Sequence, residues 1–208
     1  LATSAAQTSG VDSERRFFAA CAGGLDAVLA EELGGLGARE LRRFPRGVEF
    51  TGQPDVACRA LVEARTAAAV DEVLARAPGR LRGRKELYDF VRSACPWGSV
   101  LAAEDTLSTA GAVTANVVDE LRNGHFAALV AKDAIVDACR EARGGTRPNV
   151  DVERANWALH LTIHDGGATL ARRWSGRYGL HRRGYRTGVK MHRAALRESL
   201  AAGLLLMA

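Results

Sequence analysis

RFFAACAGGLDAVLAEELGGLGARELRRFPRGVEF, residues 16–50, sets the fold of the first part of the chain. Phe17 to Cys21 is an apolar run of strand length, broken by Gly23-Gly24. Leu25, Val28, Leu29 and Leu33 follow at helical spacing, with Asp26 in the first turn and Gly34-Gly35 just past the end. Residues 38–44 and 47–51 read as two strands turning at Pro45-Arg46-Gly47. Working outward, 54–64 is amphipathic, with Val56, Ala60, Leu61 and Ala64 on one face, and 68–76 reads as a closing strand.

The resulting order, β-α-β-β-α-β over residues 15–80, is the split βαβ or ferredoxin-like arrangement. Residues 1–14 (LATSAAQTSGVDSE) lack periodicity and read as a disordered tail. From residue 81 to 175 the pattern describes a second α/β module of similar size. Residues 84–95 predict a helix with Leu87, Phe90, Val91 and Ala94 inward, stopped by Pro96. Residues 99–109 and 111–118 read as two strands. The clearest helix is 124–142, where Phe126, Leu129, Val130, Ile135, Val136 and Cys139 form an apolar stripe ended by Gly144-Gly145. Strands at 155–164 and 168–174 follow, the first alternating Trp157, Leu159, Leu161 and Ile163 with polar partners. A basic linker, 176–193, leads to a helix at 194–208 whose stripe is Leu196, Leu200, Leu204 and Leu205. A helix of that kind at the chain's end predicts a further domain for it to open. The first residue, Leu1 rather than Met, reads as the mark of a processed or trimmed product.

A chain of 208 residues that is 47% hydrophobic and 25% charged builds a core, which excludes wholesale disorder. No apolar run approaches the roughly 20 residues of a membrane helix. Cys21, Cys58, Cys95 and Cys139 are widely spaced and form no Cys-x-x-Cys pair, so they read as small buried hydrophobes in a reducing compartment. The net charge is +5, and it is unevenly placed. Residues 171–197 contain nine Arg or Lys and no acid, although the whole chain carries 24 acids. A stripe of one sign points to a polyanion partner.

Candidate chemistry is sparse. Asp133 and Asp137 share one helical face, which suits a polar surface, or anchors for the basic segment, better than a catalytic pair. His160 and His164 face one side of a strand but have no third ligand nearby, so a metal site is not expected. No phosphate-binding P-loop, G-x-G-x-x-G or G-x-S-x-G is present. The residues expected to meet a polyanion are Lys132, Arg147, Arg172, Arg173, Arg177, His181, Arg182, Arg183, Tyr185, Arg186 and Lys190. Arginines fork onto phosphates, and Tyr185 offers a ring for stacking.

These residues also carry a resemblance. Asn123 to Asp137 (NGHFAALVAKDAIVD) looks like a helix of THUMP-domain proteins of the RlmL-like large-subunit rRNA guanine-N2-methyltransferase family. Arg147-Pro148-Asn149-Val150-Asp151 resembles that family's R-P-x-V-D, and Leu180-His181-Arg182-Arg183-Gly184-Tyr185-Arg186, after Ser175-Gly176, resembles its L-H-x-R-G-Y-R. Leu196 to Ala202 is similar to the helix that opens the family's methyltransferase domain, and Phe18 to Cys21 with Gly24-Leu25 is similar to its N-terminus. The chain departs from the pattern at Arg172-Arg173, where the family carries an acidic stretch, and at Ala195, where it tends to carry Pro.

The resemblance implies an α+β chain: a ferredoxin-like domain, then an RNA-binding THUMP domain, then the first helix of a Rossmann-like methyltransferase domain. It implies large-subunit rRNA as partner. It places S-adenosylmethionine and catalysis in the domain beyond residue 208, so no cofactor and no methyl transfer are expected of residues 1–208. The expected compartment is the cytoplasm of a bacterium, or a chloroplast or mitochondrion in a eukaryote. The alternative is a non-catalytic RNA-binding or ribosome-associated protein built from the same modules.

Overall fold

The computed structural model describes residues 14–114, 117–165, 167–176, 178–181, 183–184, 188, 190, 192 and 195–208. Of the tail expected at residues 1–14, residues 1–13 lie outside the described residues, as do the candidates Arg177, Arg182, Tyr185 and Arg186. The chain divides into two units, one formed by residues 1–70 with 179–208 and the other by 71–178.

In the first unit, β1 (Arg15–Ala20), α1 (Asp26–Gly35), β2 (Arg39–Phe44), β3 (Gly47–Gly52) and α2 (Pro54–Glu63) follow the expected order, and β4 (Ala69–Arg76) begins at its end. β3 lies between β1 and β2, antiparallel to both. Phe17 and Phe50 face each other across β1 and β3 with ring centroids 5.3 Å apart, and both are fully buried with Leu29 and Leu33 of α1. Ala68 N–H donates to the Ala20 carbonyl at 2.7 Å, which brings the start of β4 to the end of β1.

The C-terminal helix α6 (Glu198–Met207) belongs to this unit. It starts four residues later than expected and packs by a different face. Ser199 and Gly203 are its buried residues, whereas Leu204 and Leu205 are exposed. A Cβ at Gly203 would run into the Leu25 side chain, so the small residue permits the close approach of α6 to α1.

The second unit holds β4 from Asp71 onward, α3 (Arg84–Ala94), α4 (Trp97–Val100), β5 (Thr106–Val113), a 3₁₀ turn (Asp119–Leu121), α5 (Gly124–Ala142), β6 (Asn149–Val150), β7 (Trp157–His164) and β8 (Gly167–Arg173). Its strands run in the order β4-β8-β7-β5-β6, with β5 parallel to β6 and β7 and the other pairs antiparallel. The two strands expected at 99–109 and 111–118 are instead the short helix α4 and the single strand β5. Trp97 starts α4 because its indole N–H donates to the Val91 carbonyl at 2.8 Å, pinning the chain under α3.

Leu87, Trp97, Leu107, Leu121, Ile135 and Leu161 form the centre of one core. α5 presents Ala127, Val130, Ala131, Ala134, Ile135 and Cys139 to it, while Leu129, expected inside, is exposed. Thr109 donates its hydroxyl to the Ala128 carbonyl at 3.0 Å, so α5 lies on the face of β5 that carries Leu107 and Thr109. Strand alternation puts Ser108, Ala110, Ala158 and His160 on the opposite face. Of the cysteines, Cys21 and Cys139 are buried and Cys95 is half-buried, but Cys58 is exposed on α2, contrary to expectation.

Candidate nucleic-acid interface

Two of the expected cations meet in the second unit. Lys132 on α5 and Arg147 beyond it line one cavity of about 300 Å³ with Arg84 and Tyr88 of α3 and Asp137 and Arg140 of α5. Within it, Lys132 Nζ lies 3.0 Å from Asp133, and Arg140 lies 3.9 Å from Asp137. Tyr88 donates its hydroxyl to Asp137 at 2.9 Å; burial, then that bond, pushes the phenol's pKa up. Among the described residues, the two acids hold the cavity's own Lys132, Arg140 and Tyr88. Arg84 and Arg147 have exposed side chains with no partner among the described residues. Sequence reading missed Arg84, Tyr88 and Arg140 because they come from two helices far apart in the chain. Their signal was the i, i+4 spacing of Arg84 with Tyr88, and Asp133, Asp137 and Arg140 along one face of α5.

The cations of the C-terminal stretch separate by partner. The guanidinium of Arg172 sits 3.7 Å from the centroid of the Trp157 ring. Arg173 clamps Asp71 of β4 with two bonds, 3.0 and 3.1 Å long. Trp174 donates its indole N–H to Glu72 at 3.0 Å. Arg183 returns to the first unit. Its backbone N–H donates to Glu198 at 2.7 Å, and its guanidinium donates to the carbonyls of Leu180, Leu61, Val62 and Ala64 at 2.5–3.1 Å. Those oxygens include the open end of α2, so Arg183 is a helix C-cap and its donors are committed to the fold. His181 is half-buried and Lys190 exposed.

A second cavity, about 510 Å³, opens on the β5-β7-β8 face turned away from α5, where Ser108, Ala110, Ala158, His160, Arg173 and Trp174 line it. His160 is half-buried there. Burial, then the charge of Arg173, lowers its pKa below the ordinary 6.5, opposed by Asp71. The ring is therefore neutral near pH 7. No His, Cys, Asp and Glu cluster among the described residues could hold a metal ion, and no described helix is long and apolar enough to cross a membrane.

Comparison with known proteins gives this arrangement its class. Residues 16–70 match the RlmL ferredoxin-like domain and residues 85–172 match the THUMP domain. The molecule is thus a ferredoxin-like domain followed by a THUMP domain. The chain is 36% identical over 196 residues to the ribosomal RNA large subunit methyltransferase K/L of Cellvibrio japonicus, and 39% identical over 191 residues to that of Pseudomonas paraeruginosa. These matches cover 93% and 92% of this chain but only 24% and 25% of the relatives, so the chain spans about a quarter of their length. The chain thus carries the RlmL ferredoxin-like and THUMP domains and is similar to about a quarter of these methyltransferases.

Among solved structures, a Listeria monocytogenes protein named as a predicted N6-adenine-specific DNA methylase superposes with a TM-score of 0.79 at 26% identity, over 94% of this chain and 49% of that one. SMU.472, crystallised with SAH, has the same fold, with a TM-score of 0.79 at 22% identity over 95% of this chain and 49% of that one.

Proposed function

We propose that this chain holds large-subunit ribosomal RNA in place for guanine-N2 methylation by a methyltransferase domain of the kind its longer relatives' name describes. One observation carries the reading. α3, α5 and the segment after α5 bring Arg84, Lys132, Arg140 and Arg147 to one concavity, and two of these guanidiniums have no partner among the described residues. Arg recognises phosphate with paired N–H donors, and a cluster of this sign attracts a polyanion before contact. Such a substrate places the protein with ribosomes, in the cytoplasm of a bacterium.

S-adenosylmethionine is the methyl donor implied for the family. The cavities of the THUMP unit have a different chemistry: cations around one, an indole and a sheet face around the other. Among the described residues, neither is lined by a glycine-rich loop following a strand, the feature by which a nucleotide-like donor's site is recognised. The chain's task is to bind and orient.

The test is competition binding of a labelled large-subunit rRNA transcript against unlabelled rRNA and tRNA. Preferential competition by the rRNA transcript supports the reading. Equal competition by tRNA contradicts the substrate assignment, and absence of RNA binding contradicts the whole.

A further inference from the structure

We propose that the cavity on the open face of the THUMP sheet receives one unpaired nucleobase of the bound RNA, a role that rests on the RNA-binding reading above. Its floor is short-chained. Ser108, Ala110 and Ala158 stand on adjacent parallel strands, with Ser108 opposite Ala158 and Ala110 opposite His160. Small side chains on a pleated sheet leave a flat bed about one strand spacing wide, roughly 4.8 Å per strand, on which a planar ring can lie. At about 510 Å³ the cavity falls in the range that encloses a small planar ligand.

Its walls are fixed before any ligand arrives. Glu72 holds the Trp174 indole, and Asp71 holds the Arg173 fork. An aromatic wall that is already oriented loses little freedom on binding, and base–aromatic stacking tolerates any base. His160, held neutral, has its Nδ1 3.4 Å from the Thr162 hydroxyl, which leaves Nε2 to meet a base edge. The Ser108 hydroxyl has no partner among the described residues. At the rim, Arg154 is exposed and placed for a flanking phosphate.

A base in a duplex is stacked and paired and does not enter a recess of this size, so the occupant is a splayed, single-stranded nucleotide.

The experiment uses the full chain and three probes: a single-stranded RNA of about 12 nucleotides carrying a fluorescent adenine analogue, the same sequence as a duplex, and free mononucleotides. Ala158→Leu fills the bed from a position outside the core. The expected result is a loss of single-strand affinity of about tenfold and loss of the analogue's quenching, with duplex affinity and Tm unchanged. Ser108→Leu, which plugs the bed from β5, gives the same result and stands in if Ala158→Leu lowers Tm. Unchanged single-strand affinity in a folded plugged variant overturns the cavity assignment while leaving RNA binding in place. Wild-type protein that binds no RNA overturns both. Mononucleotide binding that the plug abolishes while RNA binding persists assigns the cavity to a free nucleotide and also overturns the proposal.

Discussion

Arg183 shows how much a single side chain decides in this chain. In sequence it is one of nine cations in an acid-free stretch. In the structure four carbonyls and Glu198 surround it, and it ties Leu180 and Glu198 to the end of α2. Arg183→Ala leaves those carbonyls, Val62's exposed and the other three part-buried, without this donor and is expected to cost about 1–3 kcal/mol. That corresponds to a Tm drop of several degrees by calorimetry, at roughly 2–4 °C per kcal/mol. Arg183→Lys should recover only part, because an ammonium cannot fork onto several oxygens. A Tm within a degree or so of wild type for Arg183→Ala would remove the capping role.

Sequence reading could not separate Arg183 and Arg173 from their neighbours. Their partners, residues 61–64 and Asp71, are about a hundred positions away, and charge type alone carries no record of them.

His160 gives a second prediction at this scale. Its folded pKa lies below the unfolded 6.5, so the unfolded chain binds the proton more readily. The stability it contributes is therefore complete above pH 6.5 and is lost as pH falls through the folded value. His160→Gln removes that part. Melting curves between about pH 5 and 7.5 should show wild type losing more stability on acidification than the variant. Parallel curves would contradict the assignment.

At the scale of elements, α5 begins at Gly124, where the apolar periodicity places it. The cap was not read: the Asn123 side chain accepts from the N–H groups of His125 and Phe126 at 2.9 and 3.2 Å. What could not be read was the reason for Gly124. A Cβ there would meet the carbonyl of Gly111 on β5, and a Cβ on Gly111 would meet the carbonyl of Gly124. The two glycines let helix and strand touch backbone to backbone. Gly124→Ala is expected to cost about 1–3 kcal/mol through this clash, against the usual gain of Ala in a helix. Urea titration monitored on the THUMP unit measures it, and a stabilised variant would contradict the contact.

The same principle explains the misread elements. Helices α5 and α6 bury small residues, Ala127, Ala131, Ala134, Ser199 and Gly203, and leave several leucines outside. A reading that follows large apolar side chains places the stripe on the wrong face. The β-α-β-β-α-β order and the alternation of β7 survived because Phe17, Phe50, Leu159 and Ile163 are both large and buried.

For the whole molecule, the charge pattern was legible and its use was not. The sequence places the excess of cations near the C-terminus. The fold commits Arg173 and Arg183 of that excess to structural bonds, and it gathers Arg84, Lys132, Arg140 and Arg147 from elsewhere. The central claim is that RNA phosphates are held at this gathered cluster. The most direct measurement is the slope of log affinity against log salt for an rRNA transcript, between about 50 and 200 mM. Wild type is compared with an Arg84→Glu/Arg147→Glu double variant whose Tm matches it. The account predicts a steep linear fall for wild type, and for the variant weaker binding with a slope shallower by about two, one for each lost phosphate contact. A double variant with the wild-type affinity and slope would contradict it.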